Sequence, residues 1–493
     1  MYLRKVDGLE LVAGYVGLTA LAVGAWELLP LAVLPFFPNE IPYATPFVIA
    51  GSSAIVLGYL GYSGIRYNAK ANLTNRLDMA TVLCSIAFSA ILFALPFIAV
   101  EKFTISEALF EAVGGLTATG ITLLDPDSSP RIIVAYRSLL QLFGAGGFLA
   151  LLAFSRSATF AVPSGGSPGR GEGRLGVDGK EALKIFAVLG VYILLGILAY
   201  GSAGTGWFDA FVLSISAVTT GGFSSRSGNI GAFASQPVEL ITMALMILGS
   251  VSLLFHARIA RGFKPRIVPH CEVRSSLVTL AIFFMLSFLA LVVAVEGTVA
   301  ANARVSIFHL VSALSATGFQ TIDPKTAPPL FLILLVFSML IGGSAMSLAG
   351  GIKQARLAIL FQDFKRHLRI RSSEKRILGA ARVAYMGVCR ELGDSDVSEA
   401  RRFALLYLTC FALGTAALSA TGASLQDSAF EFASLLGNNG FSSGIMARGA
   451  SGFTLWSGTI GMILGRLEIY YVILAIVSLA PRFGRRARAE RPL

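Results

Sequence analysis

The sequence repeats one segment four times, as LFEAVGGLTATGIT (109–122), FVLSISAVTTGGFS (211–224), IFHLVSALSATGFQ (307–320) and AFEFASLLGNNGFS (429–442). Each copy has a small residue six positions before a glycine and an apolar residue directly after it. The four glycines are Gly120, Gly222, Gly318 and Gly440. Internal repeats expose the plan of a fold. These predict four units of one design, each consisting of a span, a short helix, a glycine turn and a second span.

The composition around these segments is that of a membrane protein. Of the 493 residues, 55% are apolar and 14% are charged, whereas soluble domains contain about 25% charged residues. A helix of about 20 apolar residues can cross the hydrocarbon core of a bilayer. The predicted spans are 9–29, 43–65, 78–100, 131–154, 182–202, 236–257, 275–297, 329–362 (with a break), 402–420 and 453–480. This composition excludes a cytosolic enzyme, and we expect no enzymatic activity.

The basic residues predict how the chain is oriented. Lys and Arg number 40 against 28 Asp and Glu, and 32 of the 40 lie in the termini or in alternate connections between spans. By the positive-inside rule these regions are cytoplasmic, so both termini are predicted to be cytoplasmic. The excess positive charge then faces anionic lipid, and we expect no binding to nucleic acid.

The repeated segments are predicted to line a pore. Each is too short to cross about 30 Å of hydrocarbon, so it must enter and leave the membrane on one face. The distribution of basic residues places that face outside. Non-helical backbone at membrane depth must be buried in protein or line a water-filled cavity. Four glycine turns around one axis satisfy this condition.

Such turns have the chemistry of a cation site. Rings of backbone carbonyls replace the water around a potassium ion in channels, and glycine reaches the left-handed geometry that turns neighbouring carbonyls inward. The C-terminal ends of the short helices would each add about half a negative charge. Polar neighbours supply further oxygens or support the turn. The candidate ion-binding residues are Thr119, Gly120, Thr220, Gly221, Gly222, Thr317, Gly318, Asn439 and Gly440.

The chain resembles the Trk/Ktr/HKT superfamily of potassium transporters, and within it the TrkH-type membrane subunits of bacterial Trk uptake systems. The resemblance rests on the four turns, on IGGSAMSLAGGIK (341–353) and on GRLEI (465–469). It implies an all-α integral membrane protein, with four pseudo-symmetric helix, pore-helix and helix units around a central pore and an additional N-terminal pair of transmembrane helices. The glycine turns would then form a selectivity filter, and Gly120 implies a preference for potassium over sodium.

The resemblance also implies an intramembrane gate below the filter. Paired glycines permit a broken helix, although close packing of small residues is an alternative interpretation. Arg466 lies within the last predicted span, where a charge costs about 2.5–3.5 kcal/mol and must face water or a partner. The resemblance implies that it is an electrostatic barrier, and a structural pair with Glu468 or with the glycine-rich loop is the alternative. The expected gate residues are Gly342, Gly343, Ser344, Gly350, Gly351, Lys353 and Arg466.

These patterns divide the chain into consecutive regions. The predicted ranges are 1–70 for the N-terminal helix pair, 71–160 for pore unit 1, 161–180 for a cytoplasmic linker, 181–262 for pore unit 2, 263–365 for pore unit 3 with its broken second helix, 366–400 for a charged cytoplasmic segment and 401–493 for pore unit 4 with a basic tail.

The resemblance implies the partners as well. It predicts a homodimer in the bacterial inner membrane, with potassium as substrate and a TrkA-type nucleotide-binding ring on the cytoplasmic face. The basic 353–402 segment is a candidate docking surface for that ring. We expect no cofactor in this chain, with nucleotide bound only by the partner. The cysteines lack CxxC spacing, so no transition-metal site is expected.

Two other functions remain open at this stage. A proton- or sodium-coupled symporter would need a titratable group inside the membrane near its site, and Glu111, Asp209 and Glu431 lie near the short helices, where they could simply stabilise helix starts. A non-conducting sensor or scaffold is the second alternative. Glycines at all four turns argue against it, because a pore that does not conduct has no need of them.

Overall fold

The computed structural model describes residues 9–65, 75–154, 179–253, 255–256, 271–295, 297–372, 382–385 and 388–479. Within these ranges the chain is helical apart from one hairpin. The helices are α1 (Leu9–Glu27), α2 (Ala44–Ser63), α3 (Asn75–Glu101), α4 (Ile105–Leu116), α5 (Arg131–Phe154), α6 (Gly179–Ser202), α7 (Trp207–Val218), α8 (Gln236–Ser250), α9 (Cys271–Ala294), α10 (Val299–Leu314), α11 (Pro329–Ile341), α12 (Gln354–Ser372), α13 (Asp394–Ser419), α14 (Leu425–Leu436), α15 (Gly452–Arg466) and α16 (Ile469–Leu479).

The long helices have the length and apolarity of membrane spans. In the part of the chain that the structure describes, seven candidate spans pass on both criteria, and α15 with α16 makes an eighth if the bent pair is counted as one. The helices α7, α8, α10 and α11 are apolar but shorter. Of these, α7 and α10 are the short helices of units 2 and 3, and α8 and α11 are second helices that are interrupted.

The N-terminal pair packs on the first unit. The antiparallel helices α1 and α2 approach so closely that a Cβ atom added to Gly24 would lie 2.6 Å from the carbonyl oxygen of Gly51. The Trp26 indole nitrogen donates to the carbonyl oxygen of Leu139 on α5 at 2.9 Å. Between α1 and α2, the Glu40 carboxylate accepts the first free backbone N–H groups of α5, at 2.7 and 2.8 Å. Such acceptors satisfy donors that a helix start leaves unpaired.

Each unit contains a first helix, a short helix, a turn and a second helix. The first helices are α3, α6, α9 and α13, and the short helices are α4, α7, α10 and α14. The second helices differ. In unit 1, α5 is continuous, whereas α8 of unit 2 ends at Ser250 instead of reaching residue 257 as predicted. In unit 3, α11 ends at Ile341 and α12 begins at Gln354, so the break predicted within 329–362 is present.

The last predicted span, 453–480, is wrong as a single helix. It is bent by 103° between α15 and α16. Glu468 in the bend has a left-handed backbone with φ 57°, and its carboxylate pairs with Arg356 of α12 at 2.8 Å. A continuous hydropathy signal does not reveal such a bend, because both halves are apolar and the charged residues, Arg466 and Glu468, stand only at the bend.

The predicted charged segment 366–400 contains the end of one helix, a hairpin and the start of the next helix. The helix α12 runs to Ser372, past the predicted boundary at 365/366, and α13 begins at Asp394. Between them lies an antiparallel hairpin of strands β1 (Arg382–Tyr385) and β2 (Val388–Glu391). Most of the predicted linker 161–180 and the basic end of the tail lie outside the described residues.

Candidate functional site

Each of the four short helices ends in the same hydrogen-bonded turn. The backbone N–H directly before the glycine donates to the carbonyl six residues before the glycine, at 2.7 to 3.0 Å in all four units. The residue two positions before the glycine is left-handed in every copy. These residues are Ala118 (φ 54°), Thr220 (φ 56°), Ala316 (φ 54°) and Asn438 (φ 49°). This is the Schellman geometry of helix ends, here without glycine at its left-handed position.

The glycine itself has a different role from the one predicted. Left-handed geometry was expected at each glycine, but only Gly222 (φ 65°) and Gly318 (φ 90°) have it. The residue two positions earlier already reverses the chain, so the glycine need not do so. What all four glycines require is space, because neighbouring backbone occupies the position of a side chain.

The four turns close into a ring, which we call the glycine ring (Gly120, Gly222, Gly318 and Gly440). A Cβ atom added to Gly120 would lie 2.8 Å from Cα of Gly440 and 2.7 Å from the carbonyl oxygen of Gly221. One added to Gly222 would overlap the carbonyl of Thr317, and one added to Gly318 would overlap the backbone of Gly440. Residues from all four units therefore meet around one axis. Carbon atoms normally approach no closer than about 3.5 Å, so a side chain here would push the turns apart.

The predicted polar neighbours mostly support the turns. The Thr119 hydroxyl hydrogen-bonds with that of Thr117 at 2.9 Å and accepts from the Asn438 amide at 3.2 Å. The Thr317 hydroxyl hydrogen-bonds with that of Ser315 at 2.7 Å. The Asn439 amide donates to the carbonyl oxygen of Ala313 in unit 3 at 2.9 Å. The two asparagine bonds link turns of different units, and the hydroxyl bonds engage the side-chain oxygens of Thr119 and Thr317. The Thr220 hydroxyl finds no hydrogen-bond partner among the described residues.

A further set of residues holds the chain that leaves the turn in three of the units, a role that the sequence analysis missed. In three units, the side chain of the residue nine positions before the ring glycine accepts a hydrogen bond. The donor is the backbone N–H of the residue three positions after that glycine. The pairs are Glu111 with Leu123 at 2.9 Å, His309 with Thr321 at 3.3 Å and Glu431 with Ser443 at 2.5 Å. Alignment of the repeats at this position is the signal that could have found them. Glu111 and Glu431 therefore do not stabilise helix starts, which was one of the two roles considered for them.

Unit 1 adds a buried ion pair. Arg137 on α5 and Glu111 on α4 are both fully buried, and their charged groups are 2.6 Å apart. The Arg137 guanidinium also donates to the carbonyl oxygens of Thr119 at 2.8 Å and Ile121 at 3.3 Å. A buried charge must be paired and hydrogen-bonded. This arginine satisfies that condition and fixes two carbonyls of the turn.

Unit 2 reaches a similar result with other residues. Leucine occupies the position nine before its glycine. Asp209, in the first turn of α7, accepts instead from the Ser225 hydroxyl at 2.6 Å and from the half-exposed Arg226 at 2.9 Å. From unit 1, the Gln141 amide donates to the carbonyl oxygen of Gly221 at 3.1 Å.

The predicted gate residues lie in the break of unit 3, which we call the gate loop (residues 342–353). Four of its residues are left-handed: Gly342 (φ 71°), Met346 (φ 55°), Gly351 (φ 89°) and Lys353 (φ 80°). Such geometry costs about 1–3 kcal/mol at each non-glycine residue and persists only where the surroundings enforce it. The backbone of Gly350 contacts the carbonyl of Gly437, so the loop lies against the turn of unit 4.

Neighbouring units fix the gate loop. The Ser344 N–H donates to the carbonyl oxygen of Ser250 at 3.2 Å, and the Leu253 N–H donates to that of Met346 at 3.1 Å. The interruption of α8 therefore provides backbone partners for the gate loop. At the other end, the N–H of Lys353 donates to the carbonyl oxygen of Ile341 at 2.9 Å and closes the loop.

Two cations are directed at carbonyls of this loop. The Lys353 ammonium donates to Ala349, and the Arg466 guanidinium donates to Leu348. Arg466 is the last residue of α15, not a mid-span residue as predicted, and lies 5.0 Å from the ring centre of Phe148. Of the two structural alternatives, contact with the loop is observed, whereas Glu468 pairs with Arg356. Lys353 and Arg466 line one cavity together with Phe148.

The arrangement defines a class of protein. Short helices between membrane spans, a ring of glycine turns at their ends and an interrupted helix beside the ring are the architecture of a multi-pass membrane protein for cation transport. The chain belongs to the TrkH family of cation transport proteins, which matches residues 182–482.

Individual relatives agree with this assignment. The chain is 29% identical to the Trk system potassium uptake protein TrkH of Escherichia coli, over 80% of this chain and 82% of that protein. It is 26% identical to an uncharacterised cation transporter of Methanocaldococcus jannaschii, over 93% of each chain. Its fold is similar to the crystal structure of the potassium transporter TrkH from Vibrio parahaemolyticus, with a TM-score of 0.83 and 24% identity over 97% of this chain and 100% of that chain.

The predicted resemblance and the predicted helical membrane fold are therefore confirmed. The named relatives are transporters and not enzymes, in line with the expected class. Among the described residues, no group of three or more His, Cys, Asp or Glu side chains is placed to hold a metal ion.

Proposed function

We propose that this chain is the potassium-selective, ion-translocating subunit of a Trk-type uptake system and conducts potassium into the cell. The observation that carries the proposal is the glycine ring, in which turns from four units meet so closely that no side chain fits between them. Relatives named as potassium uptake proteins support potassium as the substrate.

The glycine ring is proposed to act as the selectivity filter. The carbonyl oxygens of Gly120, Gly318 and Gly440 accept no hydrogen bond from the residues that the structure describes. They are therefore available to replace the water around a cation, as carbonyl rings do in channels. By contrast, the carbonyls of Thr119 and Gly221 are held by side chains of α5. Rigid support on one side of a turn and free oxygens on the other favour selection by fixed geometry.

The short helices contribute to the preference for cations. Their C-terminal ends all terminate in the turns, so their partial negative charges, about half an elementary charge each, converge near the ring. Thr119, Thr317 and Asn439 are proposed to support the filter through the hydrogen bonds described above, whereas Thr220 and Gly221 complete the turn of unit 2.

The gate loop is proposed to control passage on the cytoplasmic side of the filter. Gly342, Gly343, Ser344, Gly350 and Gly351 provide its backbone conformation. Lys353 and Arg466 hold its carbonyls and place two positive charges near the path of the next ion. Movement of the loop would remove both the backbone obstruction and the electrostatic barrier.

The proposed assembly follows the resemblance and the charge pattern. We place the chain in a bacterial inner membrane, with both termini cytoplasmic, as a homodimer that binds a TrkA-type ring. Nucleotide would bind to that ring and not to this chain. The basic region that includes α12 and the hairpin is the candidate docking surface.

The reversal potential of the purified chain in lipid bilayers, with mixed potassium and sodium, tests the proposal. We expect current at zero pH gradient, with a reversal potential close to that of potassium. A requirement for a proton or sodium gradient would favour the symporter. Absence of flux with the regulatory partner supplied would favour the scaffold. Gly190→Ala is the matched control for ring substitutions, because nothing lies within 4 Å of the added Cβ atom.

A further inference from the structure

The gate loop is contacted by a buried carboxylate that has no place in the mechanism above. Glu272 lies in the first turn of α9 and is 1% exposed. Its carboxylate accepts the backbone N–H of Ala345, near the middle of the gate loop, at 2.6 Å. The contact is a direct hydrogen bond from the backbone of the loop to a side chain of a neighbouring helix. This is therefore a specific attachment of α9 to the loop.

The same helix is connected to the end of the loop. One turn further along α9, the Ser275 hydroxyl donates to the side-chain oxygen of Gln354 at 2.8 Å. The Gln354 amide donates in turn to the carbonyl oxygen of Gly342 at 3.2 Å, and its backbone N–H donates to Gly343 at 2.9 Å. α9 thus contacts the middle of the loop directly and both of its ends through Gln354.

Charged residues surround the contact at Ala345. Lys353 lies within electrostatic reach of two carboxyl groups, Glu468 with the larger effect and Glu272 with the smaller, and of like-charged Arg466. The loop is held by the Glu272 carboxyl group at the N–H of Ala345 and by the Arg466 guanidinium at the carbonyl of Leu348. Loss of either contact leaves the left-handed residues of the loop with less to enforce their conformation.

We propose that Glu272 is a positioning residue that keeps the gate loop in its obstructing position against the unit 4 turn. The inference rests on the proposed function of the loop as a gate. Without the Glu272 carboxylate, the loop leaves this position more often and potassium passes more readily. The glycine ring is not contacted by Glu272, so selectivity for potassium over sodium stays unchanged.

The test compares Glu272→Ala and Glu272→Gln with the unmodified chain in lipid bilayers. We expect Glu272→Ala to raise potassium current up to about tenfold, the factor that corresponds to losing one hydrogen bond. Glu272→Gln keeps an acceptor oxygen and removes the charge, so its current should lie between the two. The potassium to sodium permeability ratio should be the same in all three. A matched control is Glu239→Ala, since Glu239 is also buried in the first turn of a helix but pairs with Arg304.

A second measurement separates this inference from the proposed function. Hydrogen exchange of peptides covering 342–353, in the full chain in nanodiscs, reports the loop without any transport. We expect exchange to accelerate severalfold in Glu272→Ala and not in Glu239→Ala, with peptides covering 117–122 unchanged. If the unmodified chain conducts no potassium but the loop exchange accelerates, the proposed function fails and the positioning role of Glu272 stands. If neither exchange nor current changes in Glu272→Gln and Glu272→Ala, Glu272 does not position the loop. Should Glu272→Ala fail to fold, judged by size-exclusion chromatography, Glu272→Gln alone decides.

Discussion

The four glycine turns and the four second helices belong to the same repeated units, but they have diverged to different extents. The turns share their hydrogen bonds, their left-handed residue and their close backbone contacts. The second helices do not: α5 is continuous, α8 stops at Ser250, the gate loop separates α11 from α12, and α15 is bent against α16. A closed ring needs four similar turns, because each turn forms one side of it. The region next to the ring has no such requirement.

Close contacts at three glycines connect the second helices with the turns. A Cβ atom added to Gly144, Gly249 or Gly465 would overlap or closely approach a carbonyl at the end of the neighbouring short helix. Gly342 stands 24 residues after its ring glycine, as does Gly144. In unit 3 this position begins the gate loop instead of packing on the short helix. The gate loop of unit 3 therefore begins in the region where the second helix of each other unit packs against the end of a short helix.

The largest expected effect comes from a side chain in the ring. Gly318→Ala places a methyl group on the backbone of Gly440 at a residue with φ 90°, so we expect conduction to fall to background. Gly120 lacks a left-handed backbone, so Gly120→Ser should still conduct but discriminate less against sodium. The potassium current checks Gly318→Ala, and the reversal potential in mixed potassium and sodium checks Gly120→Ser, with Gly190→Ala as control for both. Equal effects at the two positions would contradict the distinction drawn between these turns.

The buried ion pair of unit 1 should dominate stability. Arg137→Met leaves Glu111 buried without its counter-charge, and removal of one partner of a buried pair costs about 3–5 kcal/mol. Arg226→Met in unit 2 removes a half-exposed partner of Asp209, for which we expect at most about 1 kcal/mol. Thermal unfolding in detergent measures both. A shift for Arg226→Met as large as that for Arg137→Met would mean that the two turns are supported equally.

A smaller change is expected beside the ring. Arg466→Ala removes a positive charge and the donor to Leu348. Like charges in a partly dehydrated site repel by a few kcal/mol, and about 1.4 kcal/mol corresponds to a tenfold change. We therefore expect potassium current to rise about tenfold, with unchanged selectivity. Arg448→Ala is the control, because Arg448 donates to the carbonyl of Glu101 and contacts neither ring nor loop. Unaltered current would leave Arg466 with only a structural role.

The sequence is most informative where the units agree. Gly318 and its three counterparts could be found because a close backbone contact excludes every other residue, so the glycine recurs at each turn. The residues that accept the N–H after the turn keep the same contact but not the same residue type. They are a glutamate in units 1 and 4 and a histidine in unit 3. Their contact joins positions twelve residues apart, which composition does not reveal. The bend at Glu468 depends on a partner in α12, more than 100 residues earlier in the chain.

The smallest expected effect concerns the hydrogen bonds between the loop after the turn of unit 1 and the loop after the turn of unit 2. Hydrogen bonds from the hydroxyls of Ser227 and Ser128 lower the pKa of Asp125 below its ordinary value. A carboxylate with a lowered pKa stabilises the fold above its ordinary value, near pH 4, and this contribution is lost as the pH falls through the lowered pKa. Asp125→Asn should therefore reduce the unfolding temperature slightly at pH 6, with the difference from the unmodified chain shrinking below about pH 4. Because Asp125 is exposed, the change should be small, and potassium selectivity should not change. A pH-independent difference would show that the carboxylate charge has no part in joining the two loops.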